Sequence, residues 1–562
     1  MVHKRIGQAH FPIHKGEGMK GNAFDRVGTR IVATIGPATQ SEGQIREMIR
    51  AGVDVFRFNM SHGTHEEHHA RAERVREVAH ELDRPVAILV DLRGPKIRTG
   101  TTVTGELVHL AEGSTVKIVG GSKGVDETTV SIDPKRLVDQ LGPGDRLLLD
   151  DGKLEIEVIG SAADRAGQGR RAAKSGNTGD HAKAGRASTQ SARARSASPA
   201  PGLFGKVVRG GMLKSRAGVN LPGRKIDLAV PTPKDLEDLD FALVARADFV
   251  ALSFVQTADE LRRVRKRIRK HVAETGWRDG GWAAEGVLAD RSASSLREGP
   301  ALIAKIERPT ALEYLDAILE ESDGVMVARG DLGVEISLEK VPIWQKEILR
   351  RARAKGVFSI TATQMLESMI QSATPTRAEV SDVANAILDG TDAVMLSAES
   401  AVGSYPVESV QTLSRIARET ERALRDDLAG GDLLEYDPVA EEWGDPVQAM
   451  ARATVELAEV SEAKAIVVFT VSGRTGYRVS RYRPHVPIVC LTPTEATRRK
   501  LSLAWNTDAL VVGRARTVDE LLRRGVEMLK SVGRVKKGDT VVLLGGAADL
   551  AEASNLLRWV RV

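Results

Sequence analysis

The sequence predicts an α/β protein whose main unit is an eight-stranded (β/α)8 barrel of the TIM type, and three observations point there. Eight short runs rich in Val, Ile, Leu and Ala alternate with amphipathic helical stretches. The carboxyl ends of those runs repeatedly carry charge. A block of different texture, short alternating strands with turn residues, interrupts the series after its third member. Such alternation builds a parallel sheet, eight units close one, and right-handed crossovers fix the topology.

In chain order the runs are RIVATI (30–35), VDVFRFN (53–59), VAILVD (86–91), ADFVALS (247–253), LIAKIE (302–307), DGVMVA (323–328), VFSITA (357–362) and DAVMLS (392–397). An aromatic content of 4% beside plentiful small aliphatics suits buried parallel strands better than an antiparallel sandwich. The interrupting block reads as a small β domain: GELVHL, STVKIV, TTVSI, DRLLLDDGKLEIEVI and LFGKVVRGGML are strand-like. Within it, residues 160–203 are almost wholly Ala, Gly, Ser, Arg, Lys, Asp, Gln and Thr, without apolar periodicity, and are expected to be a disordered basic loop. A second insertion is expected at 275–300.

After about Arg425 the pattern restarts. A helix near 448–457 precedes strands AIVVFT, PIVCLT, ALVVG and TVVLLGG, a second α/β unit with a mostly parallel sheet. The resulting division is an N-terminal segment at 1–28, a discontinuous barrel at 29–99 and 218–425, a β lid domain at 100–217, and a C-terminal domain at 426–562. For 562 residues that is an ordinary number of domains.

Composition narrows the function class. Cys490 is the only cysteine, so no intrachain disulfide can form, and a reducing compartment, the cytoplasm, is expected. The first residues carry charges and histidines where a secretory signal needs an apolar stretch, and no window reaches the ~18 apolar residues of a membrane span. The net charge of +5 is concentrated in the 160–203 segment, which argues against a nucleic-acid-binding face or a membrane partner.

An enzyme site is expected where barrel strands end. Those ends carry Arg57, Asn59 and Ser61; Asp91 and Arg93; Ser253; Lys305 and Glu307; Arg329 and Asp331; Thr363 and Gln364; Ser397 and Glu399. Glu307 and Asp331 suit Mg²⁺ or Mn²⁺, which takes one or two carboxylates plus water and phosphate oxygens. Lys305, with Arg57 and Arg98, supplies cations around a phosphoryl group, whose transfer depends on positioning and charge neutralisation. No Walker-type lysine loop is present. In the C-terminal unit, Thr470, Ser472, Gly473 and Thr475 form a strand-to-helix turn able to take an effector phosphate.

The stretches TRIVATIGPA, FRFNMSHG, DLRGPKIRTG, GVNLPG, AKIER, MVARGDLGVE, ATQMLESM, PTRAEVSDVANAILDGTDAVMLSAES and SGRTGYRVSRYRP, in that order from Thr29 to Pro484, closely resemble the pyruvate kinase family. The resemblance implies phosphoryl transfer from phosphoenolpyruvate to ADP, the closing step of glycolysis. It implies Glu307 and Asp331 as ligands of the catalytic cation, and Lys305 beside the phosphoryl group and the enolate. It also implies Gly330 and Asp331 backbone at the substrate carboxylate, and Thr363 with Ser397 at the protonated carbon. Arg57, Asn59, Arg98 and Arg216 would face the nucleotide, and Asp151 would sit in the closing lid. A homotetramer with a sugar-phosphate or nucleotide effector follows from the same likeness.

Three departures matter. Where members that need K⁺ carry Thr and Glu after the third strand, this chain has Leu92 and Lys96. Asn59, Ser61, Asp91 and the Leu92 carbonyl would then be a vestigial monovalent-cation site countered by Lys96, and K⁺ is expected to be dispensable. Ala217, preceded by Arg216, stands where the family keeps a nucleotide-contacting lysine. The final loop GGAADLAEAS lacks the basic character of sugar-bisphosphate-regulated members. The alternative reading is a catalytically silent homologue that senses a metabolite through its C-terminal domain.

Overall fold

The computed structural model describes residues 27–161, 203–223, 229–275, 299–425, 446–512, 518–545 and 556–562. Apart from edge residues, the expected insertions, the 1–28 segment and the last loop lie outside the described residues.

All eight expected runs become parallel strands of one closed barrel. They are β1 (Arg30–Thr34), β2 (Val55–Asn59), β3 (Ala87–Leu92), β4 (Phe249–Leu252), β5 (Ala301–Ile306), β6 (Gly324–Ala328), β7 (Phe358–Ala362) and β8 (Ala393–Leu396), each hydrogen-bonded to its neighbours in sequence, with β8 returning to β1. Helices cover the outside, three of them started by capping boxes at Thr64–Glu67, Thr232–Asp235 and Thr376–Glu379. Outward strand residues such as Ile31, Ile88 and Val325 pack against helical Ile45, Val75 and Ile348 in the larger core.

The two-residue period of a strand decides what points inward. Val32, Val55, Leu89, Phe249, Ala251, Ile303, Met326, Phe358, Ile360 and Met395 fill the barrel lumen. Continuing the same alternation to the carboxyl ends places Arg57 and Asn59, Asp91, Ser253, and Lys305 with Glu307 on the inward side at the mouth.

The amino-terminal floor is built by a repeat. An aspartate stands just before every second strand, and its carboxylate accepts the backbone N–H of the second residue of the preceding strand. Asp54 takes Ile31 N at 2.9 Å, Asp248 takes Ile88 N at 2.9 Å, Asp323 takes Leu302 N at 2.8 Å and Asp392 takes Ser359 N at 2.8 Å. Each carboxylate also meets an arginine: Arg30, Arg76 with Arg499, Arg265 and Arg483 respectively.

The small β domain is a seven-stranded sheet flanked by two two-stranded ones, with a core of Val116, Ile118, Ile132, Leu147, Ile156 and Val207 among others. Its edges, Arg98–Thr99 and Val219–Asn220, lie slightly outside the expected 100–217 limits. The Arg98–Gly218 bridge, with Thr99 N to Ala217 O at 2.8 Å and Val219 N to Ile97 O at 3.0 Å, joins these edges and nearly closes the sheet.

The C-terminal unit is a five-stranded sheet ordered β11-β10-β9-β12-β13, with β9 (Ala465–Phe469), β10 (Ile488–Thr492), β11 (Thr507–Val511), β12 (Thr540–Gly545) and β13 (Leu556–Arg561). Strand β11 starts two residues before the expected ALVVG run. The antiparallel β13 was not expected at all. It is an edge strand with one paired side, so LLRWVR needs no buried alternation, and Trp559 is 52% exposed. Among the described residues no helix is long and apolar enough to cross a membrane.

This unit closes the floor of the barrel. Leu503 is fully buried within the lumen core, and the Tyr477 ring stacks on Phe358 with centroids 5.4 Å apart. Phe358 in turn needs Gly324, where a Cβ would fall 2.1 Å from its ring. The Tyr477 hydroxyl donates to Lys500 O at 2.5 Å, and Arg499 and Arg483 reach Asp248 and Asp392 at 2.9 and 2.7 Å.

Candidate active site

At the barrel mouth the inward ends of β3, β4 and β5 converge on one ammonium group. Lys305 Nζ lies 2.8 Å from Glu307 Oε1, 3.2 Å from Asp91 Oδ1 and 2.7 Å from Ser253 Oγ, to which it donates. Burial alone would favour the neutral amine, but Asp91 and Glu307 outweigh it and hold Lys305 charged, well above its ordinary pKa. Asp91 is buried, yet Lys305 and Arg57 keep it ionised below the ordinary aspartate range.

Arg57 is braced from behind. Its Nε donates to Asp91 Oδ2 at 2.7 Å and its Nη1 to Thr34 Oγ1 at 2.9 Å. Partial burial and the cations Lys96, Arg98 and Arg57 push the exposed His62 imidazole down, so these groups share one positive field. Burial, with Arg98 and Lys305, brings Lys96 down to about 8, which leaves it mostly charged at neutral pH. His62 was not singled out in the sequence, although it follows Ser61 directly.

Glu307 is the site's high-energy carboxylate. It is 1% exposed, and burial raises it to about 7, with Lys305 opposing and Asp331 adding to the rise. Its Oε2 accepts from Phe254 N at 2.7 Å. Asp331 is exposed at the start of the helix Arg329–Glu335. A buried carboxylate raised to about 7 despite the adjacent Lys305 ammonium, and close to a second acid, has the donor chemistry of a hard-dication ligand. Among the described residues no three acids, histidines or cysteines form a ready-made metal cage, so the remaining ligands would have to be substrate oxygens and water.

Past β7 the backbone is strained. Thr363 and Gln364 have φ of 67° and 55°, the left-handed region, where a β-branched residue is an outlier costing about 1–3 kcal/mol. The Thr363 hydroxyl accepts from Gly330 N at 2.8 Å and donates to Ala362 O at 2.6 Å. The Gly330 amide, expected to stand open to a substrate carboxylate, is therefore engaged, because the left-handed turn brings the hydroxyl to the helix start. The next turn is tied in by Glu399, which accepts Ser397 N at 2.8 Å and Leu366 N at 3.2 Å.

The other expected residues are placed as follows. Asn59 Oδ1 accepts Ser61 N at 3.1 Å, and the Leu92 carbonyl accepts the Ser253 hydroxyl at 2.6 Å, which occupies one expected monovalent-ion ligand. Arg98 Nη1 donates to Arg216 O at 2.9 Å, and Arg216 and Asp151 are exposed with φ of 55° and 58°. In the C-terminal turn Thr470 and Thr475 are buried, and the Thr470 hydroxyl accepts Gly473 N at 2.9 Å. That leaves the turn fewer free donors for an anion than expected.

Comparison with known proteins agrees over both units. The family model described as pyruvate kinase, barrel domain, matches residues 27–185, 191–275 and 292–410, and that described as pyruvate kinase, alpha/beta domain, matches 448–559. A pyruvate kinase of Agrobacterium vitis is 38% identical across 92% of this chain and 94% of its own length. One from Geobacillus stearothermophilus is 38% identical across 95% of this chain and 80% of its own length. The crystal structure of a pyruvate kinase from Cryptosporidium parvum superposes with a TM-score of 0.79 at 30% identity, covering 96% of each chain.

Proposed function

The chain belongs to the pyruvate kinase family and transfers the phosphoryl group of phosphoenolpyruvate to ADP, giving pyruvate and ATP; from that premise we propose how its own residues perform the step. The observation that carries the proposal is the convergence of Asp91, Ser253 and Glu307 on the Lys305 ammonium. Fixed there and fully protonated, Lys305 stabilises charge on the transferring phosphoryl group and on the enolate oxygen left behind. Glu307 and Asp331 would hold Mg²⁺ or Mn²⁺, whose chemistry is to neutralise phosphate charge and polarise the bridging oxygen.

Arg57 cannot swing away, because Asp91 and Thr34 hold it, so it presents a pre-oriented guanidinium to the phosphates. Arg98, Asn59 and Arg216 serve the nucleotide side, and Asp151 belongs to the lid edge. Thr363 organises the proton that the enolate carbon takes up, with Ser397 in the adjoining turn. The Thr470–Thr475 turn is the proposed seat of a sugar-phosphate or nucleotide effector. The homotetramer is part of the same proposal and is checked by light scattering.

Lys96 makes the enzyme independent of K⁺. Its ammonium, mostly protonated at neutral pH, places a charge in the field shared by Arg98, Lys305, Asp331 and Asp91, where a monovalent ion would otherwise sit. Coupled assays with phosphoenolpyruvate, ADP and Mg²⁺ in KCl or in tetramethylammonium chloride should give equal turnover. Activation of tenfold or more by KCl would refute this reading of Lys96.

A further inference from the structure

Arg329 is the first residue of the helix Arg329–Glu335, immediately after β6, and only 7% of it is exposed. Nothing in phosphoryl transfer requires it, yet all of its guanidinium nitrogens are committed. Nε and Nη2 donate to Thr363 O at 3.3 and 2.7 Å, and Nη2 also donates to Gln364 O at 3.1 Å. Nη1 donates to Gln345 Oε1 at 3.3 Å and to Asp382 Oδ1 at 2.8 Å.

The two carbonyls it gathers belong to two consecutive left-handed residues of the site, Thr363 and Gln364. Neither threonine nor glutamine chooses consecutive left-handed conformations, and such strain persists only where surroundings over-determine it. Charge-assisted bonds from one planar fork to both carbonyls supply that determination. The following residue completes the grip, since Gly330 N donates to the Thr363 hydroxyl. Arg329 and Gly330 thus hold Thr363 by its carbonyl and its side chain at once.

We propose that Arg329 is a positioning residue for the proton-transfer half of the reaction, acting by fixing the Thr363 hydroxyl. This rests on the reading that Thr363 organises proton delivery. In the reverse direction the step breaks a methyl C–H bond of pyruvate, the electron pair forms the enolate, and the proton leaves to solvent. Running it back in D₂O returns a deuteron to the same carbon. A lysine at this position keeps the charge but, as a point charge, cannot span two carbonyls and a carboxylate.

The test is solvent deuterium incorporation into the pyruvate methyl group, followed by NMR with the full-length protein, Mg²⁺ and inorganic phosphate. It is read beside kcat and the KM for phosphoenolpyruvate. Arg329→Met and Arg329→Lys should each lower exchange about 30-fold or more and move the KM less than threefold. A generally loosened barrel would instead raise KM and lower the melting temperature in step with kcat. Should Arg329→Met fail to fold, Arg329→Lys carries the test alone. Exchange within threefold of the parent in Arg329→Lys, alongside loss of exchange in Thr363→Val, overturns the positioning role. Full exchange in Thr363→Val overturns the reading of Thr363 on which it rests.

Discussion

The two ends of the same barrel are held together by opposite means. On the floor, one device recurs around the ring: an aspartate before every second strand caps a neighbouring backbone N–H and meets an arginine, and the lumen behind it is sealed by Leu503 and Tyr477. At the mouth nothing repeats. Asp91, Ser253 and Glu307 converge on the single Lys305, one carboxylate is pushed up to about 7, and Phe254, Thr363 and Gln364 sit in left-handed backbone. Repetition serves stability, where any strand is as good as its neighbour. Singular arrangements serve chemistry, which needs one group at one place.

The largest expected effect that tests this division is at the mouth. Lys305→Met should lower turnover about 10³-fold, about 4 kcal/mol of transition-state stabilisation, with little change in the melting temperature. A variant that unfolds in proportion to its loss of activity would erase the contrast. On the floor the order reverses. Leu503→Ala opens a cavity in the sealed lumen and should cost about 3 kcal/mol of stability by chemical denaturation, with kcat at 25 °C within about threefold of the parent. Loss of turnover in a still-folded Leu503→Ala protein would show that the floor takes part in the chemistry.

The smallest effect sharpens the comparison through pH. Burial by itself would raise Asp248, but Arg76, Arg499 and the Ile88 N–H hold it below the ordinary aspartate range. Its folded pKa being depressed, its contribution is fully present above an ordinary aspartate pKa of about 4 and is lost as pH falls through and below that value. Asp248→Asn should therefore cost about 1–2 kcal/mol near neutral pH and flatten the acid limb of a melting-temperature profile. An unchanged acid limb would remove Asp248 from the floor's ion-pair ring.

Much of this was legible in the sequence because strand alternation is simple. Once Ala301 and Ile303 are taken as lumen residues, Lys305 and Glu307 must follow on the same side at the mouth, and Val55 leads likewise to Arg57 and Asn59. The charged strand ends therefore named most of the site. What stayed hidden is set by long-range closure. Nothing in TATQML marks two left-handed residues, since neither is glycine, and their ties to Arg329 and Gly330 at the neighbouring helix start appear only in the fold. Ser253 looked like one more polar strand end, yet it links Lys305 to the Leu92 carbonyl. The recurrent aspartates in VDVF, ADFV, SDGV and TDAV stand at strand beginnings, where the sequence alone does not reveal the neighbouring N–H and arginine that each one meets. Tyr477 and Leu503 lie in segments whose own unit explains them well enough, so their second role needs the assembled chain.

One further consequence lies in how the small β domain is attached. The polypeptide crosses to it and back side by side, with Arg98 bridged to Gly218 and Asn220 Nδ2 donating to Glu335 Oε1 at 3.1 Å on the barrel rim. Two such adjacent crossings act like the knuckles of a door. Sliding and twisting are resisted, while swinging about the line through both knuckles remains soft. Such a joint confines any rotation of the domain to one axis.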